Sequence, residues 1–246
     1  MNGKRGFLSA NLLKIIAAAL MLVDHIGMIF FPSLPAFRAV GRLAFPLFAF
    51  MIAEGCRYTK NKLRYFLTVF LLAAIVQLVY FFYDGSTYMC VLVTFSASIL
   101  LIFALQFAQK TLAAAGVGVG KKIAACLPFL LGVGAAYALN AFVQIDYGFW
   151  GCMLPVFAAL FPQSREKENL GAYLCKMGCF ALGILVLAID RTLAHGMPLQ
   201  FYALFAVLIL LLYSGERGKW KLKYFFYLFY PLHLVALQGL YWLINM

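Results

Sequence analysis

Residues 11–31 have the sequence NLLKIIAAALMLVDHIGMIFF, an apolar run with one lysine near its start and an Asp–His pair beyond its middle. A helix needs about 20 apolar residues to cross the hydrocarbon core of a bilayer. The run therefore predicts a membrane-spanning helix. Polar groups that titrate are costly inside a bilayer, so Asp24 and His25 are candidates for a functional site.

The composition of the whole chain is that of an integral membrane protein. Hydrophobic residues make up 65% of the 246 residues and charged residues 11%, with a mean hydropathy of +0.94. A soluble domain carries about one quarter charged residues. The apolar runs are long and continuous, which excludes an outer-membrane barrel of alternating segments of about ten residues. We expect one membrane domain over residues 1–246, with no room for a soluble domain.

The apolar runs predict an all-α bundle of about nine membrane-spanning helices. The predicted spans are 11–31, 39–55, 63–83, 88–109, 122–140, 147–162, 170–189, 197–213 and 223–244. The sixth is short and contains Pro155, so a re-entrant or buried segment is the alternative there. Pro46 breaks a helical hydrogen bond in the second span and is expected to bend it.

The positions of lysine and arginine predict the orientation. With nine spans, all of these residues except Arg38, Arg42 and Arg191 lie on one side of the membrane. Cytoplasmic loops carry an excess of Lys and Arg, which predicts the N-terminus in the cytoplasm, the C-terminus outside and a multi-pass protein of the inner (plasma) membrane. Orientation and attraction to anionic membrane lipid explain the net charge of +12, so no nucleic-acid partner is expected.

The six cysteines predict no metal site. Cys175 and Cys179 share a helix face, but no histidine or acid accompanies them at the spacing of metal ligands. The cysteines are interpreted as small hydrophobic residues. A disulfide between Cys90 and Cys152 stays open as an alternative.

Asp24, His25 and Arg42 are candidate catalytic residues. Adjacent residues on a helix point about 100° apart, so Asp24 does not orient His25 directly and is expected to pair with Arg42 on the next span. A neutral imidazole at position 25 can act as a general base. The alternatives are a histidine that only joins two helices, and an Arg42 that extends to the outer head groups.

A second histidine, His233, follows the aromatic run 224–232, YFFYLFYPL. An aromatic belt at the membrane surface explains Tyr224 and Tyr227, but His233 lies too deep for that explanation. Lys219, Lys221 and Lys223 precede the run. These lysines indicate the cytoplasmic side of the membrane or, as the alternative, they bind the phosphates of a cytoplasmic nucleotide. Glu54 is interpreted as a helix-end charge paired with Arg57 or Lys60.

Four further polar residues lie toward the predicted outer side. Asp146 and Tyr147 open the sixth span, where Asp146 can simply cap the helix. Asp190 and Arg191 can form a surface ion pair of little energetic value. Asp146, Tyr147 and Asp190 are the candidate residues of an acceptor site.

The quoted motifs resemble the TraX family over essentially the whole chain. The similar stretches are 13–27, 41–55, 146–148 and 223–233, of which the first and last are the most specific. TraX proteins are polytopic inner-membrane proteins named for acetylation of the N-terminus of conjugative pilin. They resemble a wider group of membrane acyltransferases that use acyl-CoA inside and an acceptor outside. One stretch departs from the family: residues 76–79 are VQLV, where an acidic segment is expected, so the pilin acceptor does not automatically carry over.

The resemblance implies a membrane acyltransferase, expected to be an acetyltransferase that uses acetyl-CoA. His25 would be the general base, with Asp24 and Arg42 ordering the outer site and His233 lining the thioester end or assisting proton transfer. Lys219, Lys221, Lys223 and Arg57 would hold the donor's phosphates. The acceptor would be a peptide N-terminus, a glycan or a small molecule, and an acyl-histidine intermediate or direct transfer stays open. A small-molecule or lipid transporter and a non-catalytic assembly factor for a surface structure are the alternatives.

Overall fold

The computed structural model describes residues 6–85, 87–161, 170–219 and 223–246, without the side chains at positions 83, 84, 223, 224 and 227. Apart from two isolated β-bridges, the regular structure of these residues is helical. The helices are α1 (Ala10–Phe30), α2 (Pro35–Gly41), α3 (Ala44–Tyr58), α4 (Lys62–Asp84), α5 (Val91–Ala113), α6 (Val119–Phe142), α7 (Gly148–Ala159), α8 (Leu170–His195), a 3₁₀ segment (Pro198–Phe205), α9 (Ala206–Leu211) and α10 (Lys223–Ile244).

The helix lengths confirm a multi-pass membrane protein. Within the residues that the structure describes, six helical segments are long and apolar enough to cross a membrane, and three apolar segments are shorter: Gly148–Ala159, Pro198–Leu211 and Leu228–Ile244. The 12 residues of α7 rise about 18 Å, less than the hydrocarbon core of about 30 Å. Most of α7 is buried, which agrees with the alternative of a re-entrant or buried segment for the sixth span. The count of nine crossings and the orientation stay predictions.

The second predicted span is interrupted between α2 and α3, at Arg42 and Leu43. Pro46 has no N–H to donate to the carbonyl of Arg42, four residues earlier, so a regular helix is weakened there. The interruption therefore falls one turn before the proline that was expected to bend the span.

The chain divides into two compact units. Unit 1 comprises Met1–Met51 and Ile184–Met246, and unit 2 comprises Ile52–Gly183. The boundaries fall within α3 and α8, so each of these helices contributes to both units. The single domain expected from the sequence stays a prediction.

In unit 1, α1 and α10 pack side by side and run in the same direction. The rings of His25 and His233 have centroids 5.0 Å apart. Further along both helices, the ring centroids of Phe30 and Tyr241 are 6.1 Å apart. Because residue numbers increase together along both helices, the two are parallel.

The loop before α10 holds the N-terminus of α1. The first N–H groups of a helix have no partner inside the helix. Here Ala10 N–H donates to the Glu216 carbonyl over 2.8 Å and Asn11 N–H to the Arg217 carbonyl over 3.1 Å. The Ser9 hydroxyl accepts a hydrogen bond from Leu12 N–H at 3.3 Å. Three donors of α1 are thereby satisfied by neighbouring residues.

In unit 2, the departure from the family at 76–79 has a structural role. The side-chain oxygen of Gln77 accepts a hydrogen bond from Cys90 N–H at 3.2 Å, and its amide donates to the Tyr88 carbonyl at 3.0 Å. Gln77 on α4 therefore binds the backbone at the start of α5. The disulfide considered between Cys90 and Cys152 is not formed, since all six cysteines are free.

Unit 2 also contains a buried charge cluster. Lys176 Nζ lies 2.6 Å from Glu54 Oε1, and Arg57 Nη1 lies 3.5 Å from the same oxygen. The side chains of Lys176, Arg57 and Glu54 are 1%, 4% and 6% exposed. The predicted Glu54–Arg57 pair is present, but Lys176 lies nearer to Glu54 than Arg57 does. From the sequence, Lys176 was interpreted only as a topology signal.

Candidate functional site

His25 on α1 and His233 on α10 form the candidate active site. His25 Nδ1 lies 2.8 Å from His233 Nε2, so the two imidazoles share a hydrogen bond across 208 residues of sequence. His233 is 6% exposed and His25 is partly buried. The two histidines chosen separately from the sequence therefore meet in one site.

The hydrogen bonds around His233 decide which nitrogens carry protons. His233 Nδ1 lies 2.8 Å from the Phe229 carbonyl, which can only accept, so Nδ1 carries the proton. In a neutral ring, His233 Nε2 is then an acceptor, and His25 Nδ1 must donate to it. A neutral His25 consequently has its lone pair on Nε2, the nitrogen that faces away from His233. This tautomer is the one that a general base needs.

Aromatic rings surround His233 and keep its environment apolar. The Phe229 ring stacks on His233 with centroids 4.9 Å apart and planes 9° apart. The Tyr230 ring meets it edge-on, with centroids 5.9 Å apart. An apolar environment disfavours a charged imidazole and strengthens the hydrogen bond between the two rings.

The structure corrects the partner predicted for Asp24. Arg38 Nη1 lies 2.7 Å from Asp24 Oδ2, so Asp24 forms an ion pair with Arg38, one turn before Arg42. Arg42 also acts on Asp24 electrostatically. Arg38 was missed because it precedes the predicted second span, 39–55, whereas Arg42 lies within it. The position of Arg38 three residues before Gly41 puts the two on one face of α2, which was the available signal.

Gly41 and Gly27 allow α2 to approach α1 at the site. A Cβ on Gly41 would collide with the Cβ and carboxylate of Asp24, and a Cβ on Gly27 would collide with the side chain of Phe37. Asp24 Oδ1 is buried there without a hydrogen-bond partner among the described residues. The glycines of the two sequence motifs thus set the distance between α1 and α2.

We expect Gly41→Ala to destabilise the protein by about 1–3 kcal/mol, as overpacking of an interior does. The added methyl group would displace the Asp24 carboxylate and weaken its ion pair with Arg38. Thermal unfolding in detergent measures the change. Gly134→Ala on α6 is the matched control, because open space surrounds that position. Equal stability of the two variants would contradict the close contact.

The residues predicted to hold donor phosphates have different positions. Lys219 is exposed in the loop before α10. Lys221 lies outside the described residues, and Lys223 begins α10 with a side chain that is also outside them. Arg57 follows the predicted second span, 39–55, but it lies in the last turn of α3. Its side chain is buried beside Glu54, which leaves it poorly placed to reach a nucleotide in solution.

The three predicted acceptor-site residues belong to different units. In unit 2, Asp146 Oδ1 accepts a hydrogen bond from the Tyr88 hydroxyl at 2.8 Å. Tyr147 instead occupies the cap position, in the left-handed backbone region at φ 60°, which is strained for a residue with a side chain. In unit 1, Asp190 lies within α8, partly buried. Their acceptor role stays a prediction.

Comparison with known proteins assigns the chain to a family. The TraX protein family matches residues 9–241. A probable fimbrial assembly protein, FimC of serogroup H1 from Dichelobacter nodosus, is 29% identical over 246 residues, covering 93% of this chain and 94% of that protein. An uncharacterized protein of Rickettsia prowazekii is 41% identical over 54 residues, which are 22% of this chain and 21% of that protein. No solved structure matches significantly. Since the family match extends over nearly the whole sequence, the chain belongs to the TraX family.

Proposed function

We propose that this protein is a membrane acetyltransferase that moves an acetyl group from acetyl-CoA to an amine or hydroxyl acceptor. The observation that carries the proposal is the hydrogen bond between His25 and His233, with the tautomer it imposes. A histidine whose Nδ1–H is held by an acceptor and whose Nε2 lone pair is available is the arrangement of a general base. His233 takes the place that a carboxylate has in many catalytic triads.

The proposed reaction is direct transfer. His25 Nε2 takes the proton of the acceptor amine or hydroxyl as its nitrogen or oxygen attacks the thioester carbonyl carbon. The tetrahedral intermediate then collapses, the carbon–sulfur bond breaks, and the CoA thiolate receives the proton from His25. His233 Nε2 accepts the hydrogen bond of the transient imidazolium and stabilises it.

The ion pair of Asp24 and Arg38 gives the site its second part. It lies on the side of α1 adjacent to His25, where α2 approaches. Paired charges at this depth hold a fixed field beside the reacting atoms. In this proposal Asp24 and Arg38, with Arg42, orient the acceptor and steady the oxygen on which charge develops.

The proposed topology has nine crossings, with the N-terminus in the cytoplasm and the C-terminus outside. Its support is the distribution of Lys and Arg and the parallel direction of α1 and α10. If both helices cross the membrane in the same direction, the total number of crossings is odd. The donor would then reach the histidine pair from the cytoplasm.

The name of the Dichelobacter nodosus relative favours a particular acceptor class. That relative is named as a probable fimbrial assembly protein. We propose that the acceptor here is the N-terminal amine of a subunit of a surface fibre. The same name also supports a second candidate function, a non-catalytic assembly factor, for which the histidine pair would only join α1 to α10.

Titration of the detergent-purified protein with acetyl-CoA tests the donor. A ligand that binds only the folded state raises stability by about 2.7 kcal/mol at 100 times its Kd. We expect saturable thermal stabilisation by acetyl-CoA but not by matched salt or free phosphate, and transfer of labelled acetyl to a peptide with a free N-terminus. Absence of transfer from a well-folded protein, to peptide, glycan and small-molecule acceptors alike, would favour the assembly factor.

A further inference from the structure

One face of α1 carries a second polar group besides His25. Lys14 precedes His25 by eleven residues. Eleven residues make about three helical turns, so the two side chains leave α1 in nearly the same direction. On α10, Phe226 precedes His233 by seven residues, about two turns, and shares its face in the same way. The contact surface of α1 and α10 therefore continues from the histidine pair toward the N-terminal ends of both helices.

Lys14 points into this contact surface. Its Nζ lies 5.9 Å from the centroid of the Phe226 ring on α10, and its side chain is partly buried. Among the residues that the structure describes, Lys14 takes part in no ion pair. An ammonium group removed from water without an anionic partner is costly, and a contact with one aromatic ring compensates only part of that cost.

A second cation lies close to Lys14. Arg217 is exposed in the loop that holds the start of α1, where its carbonyl accepts the hydrogen bond of Asn11 N–H. The Arg217 guanidinium repels the Lys14 ammonium. In the described part of the chain, Arg217 likewise has no ion pair. Two cations placed together, with no ion pair to a carboxylate among the described residues, favour a ligand with at least one negative charge.

The distance from these cations to the histidine pair matches a long thioester donor. Along α1, Lys14 lies about 16 Å before His25, and along α10 Phe226, whose ring the Lys14 ammonium approaches, lies about 10 Å before His233. The pantetheine arm of CoA has about the backbone length of four peptide residues, roughly 14 Å when extended. An acyl-CoA with its phosphates at Lys14 would thus present its thioester to His25.

We propose that Lys14 and Arg217 form the phosphate-binding subsite of the acyl-CoA donor, with the arm of the donor lying along the contact surface of α1 and α10. This inference rests on the proposed function and adds a binding site to it. It assigns to Lys14 a role beyond orientation in the membrane. Of the predicted phosphate ligands Lys219, Lys221, Lys223 and Arg57, it leaves out Arg57, which is buried in unit 2, and it adds two cations of the unit that contains the histidines.

The test compares two acetyl donors. We expect Lys14→Gln to raise the KM for acetyl-CoA about 10- to 100-fold, the loss of one charge-assisted contact, with kcat little changed. The KM for S-acetyl-N-acetylcysteamine, a thioester without the nucleotide, should stay the same. Lys14→Arg should retain most of the acetyl-CoA affinity. Lys110→Gln, which removes an exposed lysine of unit 2, is the matched control. An unchanged KM for acetyl-CoA in Lys14→Gln would overturn the subsite while leaving the acetyltransferase intact.

A binding measurement with CoA itself separates this inference from the proposed function. CoA should stabilise the wild-type protein against thermal unfolding, and Lys14→Gln and Arg217→Gln should each weaken that stabilisation. Arg217 is exposed, so its variant should fold even if a change within α1 does not. Stabilisation by CoA that both variants lose, without acetyl transfer, would support the subsite and sink the proposed catalysis. No stabilisation of the wild-type protein by CoA would overturn the subsite.

Discussion

His25→Gln is expected to lower kcat for acetyl transfer about 10²- to 10⁴-fold, the contribution of a positioned general base. Glutamine keeps a side chain of similar polarity in α1 but has no nitrogen that takes a proton near neutral pH. Binding of acetyl-CoA, measured as thermal stabilisation, should persist, because the proposed site of the donor phosphates lies about 16 Å from His25 along α1. The remaining histidine, His195, is exposed at the end of α8, and His195→Gln should leave turnover unchanged.

Variants of His233 show whether the bond between the rings contributes to the base. His233→Leu removes the acceptor of the His25 Nδ1–H hydrogen bond. His25 can then adopt the other tautomer, with the proton on Nε2, so kcat should fall and its pH dependence should change. His233→Gln can still accept that hydrogen bond and should retain more activity than the leucine variant. Full activity of both His25→Gln and His233→Leu would leave the pair with a packing role only.

Glu54→Gln is expected to reduce the stability of the protein by about 3–5 kcal/mol, as removal of one partner from a buried ion pair does. The substitution leaves the buried cations Lys176 and Arg57 beside a neutral amide. Thermal unfolding in detergent measures the loss. Glu216→Gln is the control, because Glu216 is exposed and uses its backbone carbonyl, not its carboxylate, to bind α1. A change no larger than that of the control would mean that the cluster does not depend on the Glu54 charge.

The helical fold was predictable because it depends on local composition. Every predicted span overlaps a helical segment of the structure, since long apolar runs leave a chain in lipid few alternatives. Lengths were less predictable: span six became the 12-residue α7 and span eight a 3₁₀ segment followed by α9. Apolar composition is the same in a crossing and in a short buried helix, so it does not separate the two.

Individual members of the site were predictable, but their contacts were not. His25 and His233 stand out because each is polar within an apolar run. Their hydrogen bond joins residues 208 positions apart, and no periodicity reports such a pairing. Asp24 was expected to pair with Arg42, but its 2.7 Å ion pair is with Arg38, one turn earlier on α2, while Arg42 acts on Asp24 electrostatically. Composition does not indicate which of two arginines one turn apart lies nearer to the carboxylate.

The parallel contact of α1 with α10 has a consequence for biosynthesis. A ribosome makes His25 about two hundred residues before His233, so most of the chain is synthesised and inserted while His25 has no partner. A nascent chain that does not yet include α10 cannot form the pair. Under the proposed function, incomplete copies that lack α10 would therefore carry out no misdirected acetylation, because the histidine pair forms only after α10 has been made.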